Sequence, residues 1–198
     1  MRPELISKTE AEELLAPHLA ALQKCIREAW ADWLQQIKER PQDATLSKSS
    51  RARVTYDRIA DRAEAYFDAV GVHTTRERDF LEVSLADGLV RLRFKKFRDG
   101  SLRTSGIPTD QALEIYYQQV SLEGMSVTYL SAGYLPDELG LELDKVSIVC
   151  SYAGKALWEI PLEQDAAGVA AHGTPKRPTG PSVTSNRPAA QEDQLEGL

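Results

Sequence analysis

The sequence predicts an α+β fold in which N-terminal helices pack on a mainly antiparallel sheet of hairpins with one inserted helix, followed by a disordered C-terminal tail. Three observations predict it. Apolar residues recur every three or four positions through residues 7 to 40 and 51 to 70. Period-two alternation runs on both sides of Asp87-Gly88 in FLEVSLADGLVRLRFKKF. From Glu163 onward large apolar residues thin out, prolines accumulate and no aromatic occurs. Residues 1–45 therefore read as an amphipathic helical segment, 46–162 as the α+β domain and 163–198 as the tail.

The elements follow in order. Ser7-Lys8-Thr9-Glu10 has capping-box form, with the serine oxygen open to an early helical N–H and the glutamate reaching back. Pro17 cannot sit comfortably inside a helix, so the helix divides or kinks there. Leu19, Leu22, Ile26, Trp30, Trp33 and Ile37 then form one stripe. That stripe reads as core packing or self-association; the sharper reading makes Trp30, Trp33 and Ile37 a docking stripe for a partner. PQDATLSKSS links to a second helix over about Arg51 to Val70, which Gly71 ends. The hairpin comes next, with Leu92 and Phe94 on one face and Arg91, Arg93 and Lys95 on the other. Thr109 caps a short helix from Asp110 to about Val120. Residues 126 to 134 alternate as a strand, 136 to 140 turn, and 145 to 152 with 156 to 162 make a last hairpin around Ala153-Gly154.

Net charge is −6 over 198 residues, which argues against a general nucleic-acid coat protein. Against that background, positions 91 to 103 reverse sign: Arg91, Arg93, Lys95, Lys96, Arg98 and Arg103 face a single acid, Asp99. Arg51, Arg53 and Arg58 open the second helix and oppose its dipole. These nine cations are the candidate binding residues, for an acidic protein surface or for phosphate; a solvated face balanced by the chain's own acids is the bland alternative.

The search for chemistry ends without a catalytic motif. His18, His73 and His172 are scattered, Cys25 and Cys150 have no C-x-x-C spacing, and neither G-x-S-x-G nor G-K-[ST] occurs. No metal, cofactor or catalytic residue is expected, and His18 and His73 read as surface and loop residues. A metal-dependent nuclease would draw on Asp79, Glu82 and Lys95 in or beside the hairpin, and needs Glu82 and Lys95 to share one sheet face with a helix-borne acid such as Glu64. The two cysteines read as small buried residues of a reducing compartment. The N-terminus has no apolar signal core and no run approaches a membrane span, so the cytoplasm is expected.

Several segments together carry a resemblance: RARVTYDRIADRAEAYF, LVRLRFKKF, IPTDQALEIYYQQ, GYLPDELG and ALWEIPL. In order and flavour, over residues 50 to 162, they are similar to small bacterial and phage-linked proteins encoded beside Xre-type regulators fused to ImmA/IrrE-type metallopeptidase domains, in a toxin–antitoxin-like arrangement. The resemblance implies a cytoplasmic interaction or regulatory protein with an Xre–ImmA/IrrE-type partner, and it supplies no site residues. A nucleic-acid binder using the same basic hairpin face is the alternative, and a small nuclease or hydrolase toxin a further one.

Overall fold

Ser7 opens the first helix as its spacing from Glu10 predicts. The Ser7 amide donates to Glu10 Oε2 at 2.9 Å and the Glu10 amide donates to Ser7 Oγ at 3.3 Å, so two donors at the helix start are satisfied reciprocally. The structure, a computed structural model, describes residues 4–77, 79–104, 110–118, 121–122 and 124–162. Helix α1 covers Lys8–Leu15, the chain breaks step at Pro17, and α2 resumes over Leu19–Glu39. After a 3₁₀ turn at Pro41–Thr45, Ser47 accepts from the Ser50 amide at 3.1 Å and caps α3, Lys48–Ala69. The serine cap starts α3 three residues ahead of Arg51. Gly71 ends it with φ at 73°, a left-handed turn that a side chain would resist.

The strands are β1 (Thr74–Glu77), β2 (Phe80–Leu85), β3 (Val90–Lys96), β6 (Thr128–Pro136), β7 (Leu143–Tyr152) and β8 (Lys155–Pro161). Helix α4 (Asp110–Tyr116) and a two-stranded ribbon of β4 (Ser121–Leu122) with β5 (Met125–Ser126) lie between β3 and β6 in sequence. The six-stranded sheet has the order β1-β2-β3-β6-β7-β8. Its pairs are antiparallel except at the centre, where β3 and β6 run parallel from Val90↔Thr128 to Lys96↔Tyr134. The α+β fold with an inserted helix is as the sequence predicts. The parallel seam is a departure from an all-hairpin sheet, because alternation reports which face a residue takes and not the direction of its neighbour.

The β2–β3 hairpin keeps a register centred on Asp87-Gly88, with Leu85 opposite Val90 and Glu82 opposite Arg93. The ladder stops at Leu85 because Ala86, Asp87 and Gly88 all take positive φ in a tight 3₁₀ turn. At the other hairpin, Ala153 and Gly154 have φ of 49° and 73° between paired Tyr152 and Lys155, the two-residue turn whose twist suits a hairpin.

Helices α2 and α3 cover one face of the sheet. Ile26, Trp33, Ile59 and Phe67 meet Val83, Leu92, Phe94, Leu130 and Ile148 in one core, all 1% exposed or less. The N-terminal segment belongs to the same core: Trp158 Nε1 donates to the Ile6 carbonyl at 3.2 Å and the Ile6 amide donates to Thr128 Oγ1 at 3.1 Å. Cys25 and Cys150 are buried and not joined. His18, read as a surface residue, instead sits half-buried at the start of α2, 3.0 Å from Tyr66 Oη and edge-on to the Tyr66 ring. The cap at Thr109 and the tail from residue 163 lie outside the described residues.

The opposite sheet face has a smaller cluster of Phe97, Leu102 and Val149. After α4, Gln118 acts as a clasp. Its side-chain oxygen accepts from the Tyr129 amide at 2.7 Å, and its nitrogen donates to the carbonyls of Tyr129 and Ser151, each at 2.9 Å.

Gly133 lies under the Phe97 ring at the parallel seam. A Cβ there would come within 2.6 Å of both the Lys95 carbonyl oxygen and Phe97 Cζ. Gly133→Ala should lower unfolding free energy by about 2 kcal/mol or more in denaturant titration, while Gly100→Ala, with nothing within 4 Å, should stay within about 0.5 kcal/mol.

Candidate functional site

Alternation along β3 places Arg91, Arg93 and Lys95 on the face away from the helices. The expectation that they project freely is corrected by the hairpin register, which sets Glu82 directly opposite Arg93 and two pairs, on the same face, from Arg91. Glu82 Oε1 accepts from Arg91 Nη1 at 2.7 Å, and Oε2 accepts from Arg93 Nε at 2.8 Å and Nη2 at 2.7 Å. Burial works against the Arg91 charge, yet Glu82 outweighs it and holds the guanidinium above its ordinary range. The Arg93 guanidinium also lies 5.2 Å from the centre of the Tyr129 ring. This clamp is internal structure.

The other sequence candidates divide in the same way. Arg53 pairs with Asp57 at 3.0 Å and Asp79 at 3.3 Å. Arg58 bonds Gln36 on α2. Arg103 pairs with Asp99 at 2.9 Å, and Ser101 with Arg103 holds the Asp99 carboxyl down to about 2. Arg98 is exposed just past β3. The apolar stripe of α2 faces inward: Trp33 is 1% exposed, Trp30 is 9% exposed and Ile37 packs against the core, so as a docking stripe it offers little surface.

The sequence candidates left unmatched gather in one place, with Lys48 beside them. Lys96, half-buried, has its ammonium pushed below its ordinary value first by burial and then by Arg51 and Lys48. Lys95 is lowered by burial and then by Arg93, and its Nζ lies 5.3 Å from the Phe80 ring centre. Among the described residues, Lys48, Arg51, Lys95 and Lys96 form no ion pair with a carboxylate. Lys48 and Arg51 stand on the first turn of α3, which contains no acid to answer its dipole.

These four cations border a cleft of about 950 Å³ between the N-terminal half of α3 and the chain leaving β3 and β6. Beneath it lie the core aromatics Trp30, Trp33, Phe94 and Tyr134, each 9% exposed or less. Two polar atoms there are buried: Trp30 Nε1 has no hydrogen-bond partner, and Tyr134 Oη has only the Thr55 hydroxyl beside it. The neighbouring Thr55 hydroxyl donates instead to the Arg51 carbonyl at 3.0 Å. Acids line part of the cleft too: Asp99 is held by Ser101 and Arg103 and Asp137 accepts from the amides of Leu141 and Glu142, while Glu138 and Asp144 form no ion pair among the described residues.

The nuclease constellation does not assemble. Glu82 is clamped by two arginines on the outer face, whereas Glu64 lies on α3 against Arg76 at 3.7 Å. Among the described residues no group of three or more His, Cys, Asp or Glu side chains converges as a metal site would require. Nor is any helix among them long and apolar enough to cross a membrane.

Sequence reasoning found Arg51, Lys95, Lys96, Trp30 and Trp33 and missed Lys48 and Tyr134. Lys48 was legible only once Ser47 was recognised as the cap. The buried Tyr134 hydroxyl has no sequence signal, since it depends on packing across the seam. Comparison of the chain with family models, curated proteins and solved structures finds no match.

Two outcomes test this geometry. Glu82→Ala strands two half-buried guanidinium groups and should cost about 2 kcal/mol in chemical unfolding, with the double change of Arg91 and Arg93 to Gln in the Ala background recovering part of it. Burial pushes the Tyr134 phenol up to about 12, above an unfolded value of 10.0. Ionising this phenol therefore costs the fold about 2–3 kcal/mol by linkage; the cost is absent below pH 10 and grows as pH rises through 12. The stability difference between wild type and Tyr134→Phe should shift by that amount across this window, and Tyr134→Phe should be neutral or stabilising near pH 7.

Proposed function

We propose that this chain is a non-enzymatic binding protein that engages an acidic surface of a protein partner through Lys48, Arg51 and Lys96, with Lys95 beside them. The partner suggested by the order of segments is an Xre–ImmA/IrrE-type regulator-peptidase, and the setting a toxin–antitoxin-like or phage-related pair. One observation carries the reading: Lys96 lies half-buried beside Arg51 and Lys48 at the cleft and forms no ion pair among the described residues. A cation so placed weakens the free fold, and a carboxylate brought by a partner relieves it.

The net charge of −6 and the acids along the cleft favour a protein over nucleic acid, because an extended phosphate chain would meet both. Arg91 and Arg93 take no part, since Glu82 neutralises them.

The test is calorimetry with a purified Xre–ImmA/IrrE-type protein from the same genome. Wild-type chain should bind, with affinity falling as salt rises. Lys48→Glu, Arg51→Glu and Lys96→Glu together should weaken the complex by about a hundredfold or more, roughly 3 kcal/mol, while leaving the far-ultraviolet circular dichroism unchanged. Lys96→Met should raise the melting temperature of the free chain even as it weakens the complex. A complex indifferent to the triple change, or a preference for duplex DNA in gel-shift assays, overturns the reading.

A further inference from the structure

The cleft at the start of α3 is unmatched in both signs of charge. On one side stand Lys48, Arg51 and Lys96. On the other stand Glu138, in the turn that joins β6 to β7, and Asp144 just beyond it. Among the described residues none of these side chains forms an ion pair. The two sets are neighbours all the same: a Cβ placed on Gly140 would stand 4.0 Å from Arg51 Nη1. The turn is fastened to itself rather than to the cations. Asp137 Oδ1 accepts from the amides of Leu141 and Glu142 at 2.7 and 3.1 Å, and the Asp137 carbonyl accepts from the Gly140 amide at 3.1 Å. So held, it presents Leu139 and Leu141, 77% and 58% exposed, the most exposed large apolar side chains among the described residues.

A purely acidic occupant leaves Glu138 and Asp144 unanswered, and a purely basic one leaves the cations so. A second copy of this chain answers both. About a two-fold axis through the cleft mouth, the acids of each copy meet the cations of the other, and every contact is made twice. We infer that this end of the sheet is a self-complementary docking surface on which two copies of the chain pair, the acidic turn of each lying against the cationic start of α3 in the other. Leu139 and Leu141 lose water in that contact, and Phe80, 46% exposed, is the apolar side chain that the cleft border offers them. One exposed ion pair adds little, but several about one axis reinforce each other, and a turn already held in shape loses little entropy on docking. This pairing does not depend on the partner proposed above. Both contacts use Lys48, Arg51 and Lys96, so self-pairing and partner binding exclude one another.

The experiment follows the weight-average mass of the full chain by sedimentation equilibrium from about 10 µM to about 1 mM. At low salt the mass should climb from the monomer's 22.0 kDa toward twice that value, and about 0.5 M salt should weaken the association by about tenfold. One chain reversed at the cations (Lys48→Glu, Arg51→Glu, Lys96→Glu) and another reversed at the acids (Glu138→Lys, Asp144→Lys) should each stay monomeric alone. An equimolar mixture of the two should recover a dimer, because the exchanged charges match again across the axis. Leu139→Ser with Leu141→Ser should weaken self-association several-fold while leaving the circular dichroism unchanged. If a reversed chain does not fold, the single exposed changes Lys48→Glu and Glu138→Lys make the same comparison. Wild-type chain that stays monomeric at the highest concentration overturns the inference, and so does a dimer that survives either reversal. Reversed chains that do not recover on mixing overturn it as well, since the two patches then do not meet. Calorimetry with the partner reads the other proposal separately: a complex formed by a chain that never self-associates leaves only that reading standing, and self-pairing without a complex leaves only this one.

Discussion

The parallel pairing of β3 with β6 is the constraint on which the rest of the molecule depends. Two three-stranded antiparallel ribbons, β1-β2-β3 and β6-β7-β8, meet at this seam. Because the two central strands run the same way, both chains leave the sheet at the same end. One departs toward residues 97–104 and the other into the turn at 136–142, and α3 begins alongside them. A crevice at the carboxyl ends of parallel strands is where sheets of this kind commonly leave room for a ligand. The core aromatics beneath the cleft and the unmatched cations both lie there. The close approach of Phe97 over Gly133 fixes the seam on one face while Tyr134 closes it on the other.

Electrostatics sorts the basic residues by this same geometry. A cation in the middle of a strand faces a neighbouring strand at short, fixed spacing and can find an acid there, as Arg91 and Arg93 find Glu82. A cation at the end of a strand or in the first turn of a helix has no such neighbour. Lys96 and Lys48 occupy those positions, and α3 adds its own positive end. Sequence charge alone does not separate the two classes; position along the element does.

Much of the fold was legible. Pro17 divided the first two helices, spacing of three and four gave the buried stripe of α2, and Gly71 and Ala153-Gly154 marked real left-handed turns. Strand β1 was not legible, since Thr74–Glu77 is polar throughout and is a strand because β2 offers it an edge. The parallel seam was not legible either, because residues far apart in sequence decide it. The clamp on Glu82 is an instructive case. A turn centred on Asp87-Gly88 already sets residue 82 opposite residue 93, so the internal pairing of Arg93 followed from the hairpin once its register was counted out. The cleft needed three separate elements to meet, and no local pattern encodes that.

Gln118 shows how the structure closes where the ladder ends. Its amide carries the same donor and acceptor pair as a peptide group, and it takes both Tyr129 backbone groups and the Ser151 carbonyl. One side chain thus stands in for a missing strand. Glutamate at this position would lack the donor and a shorter amide would lack the reach, so the identity of the residue is tightly specified. Two residues earlier the Tyr116 carbonyl accepts from the Ala153 amide at 3.0 Å, so the end of α4 and the β7–β8 turn are fastened as one piece.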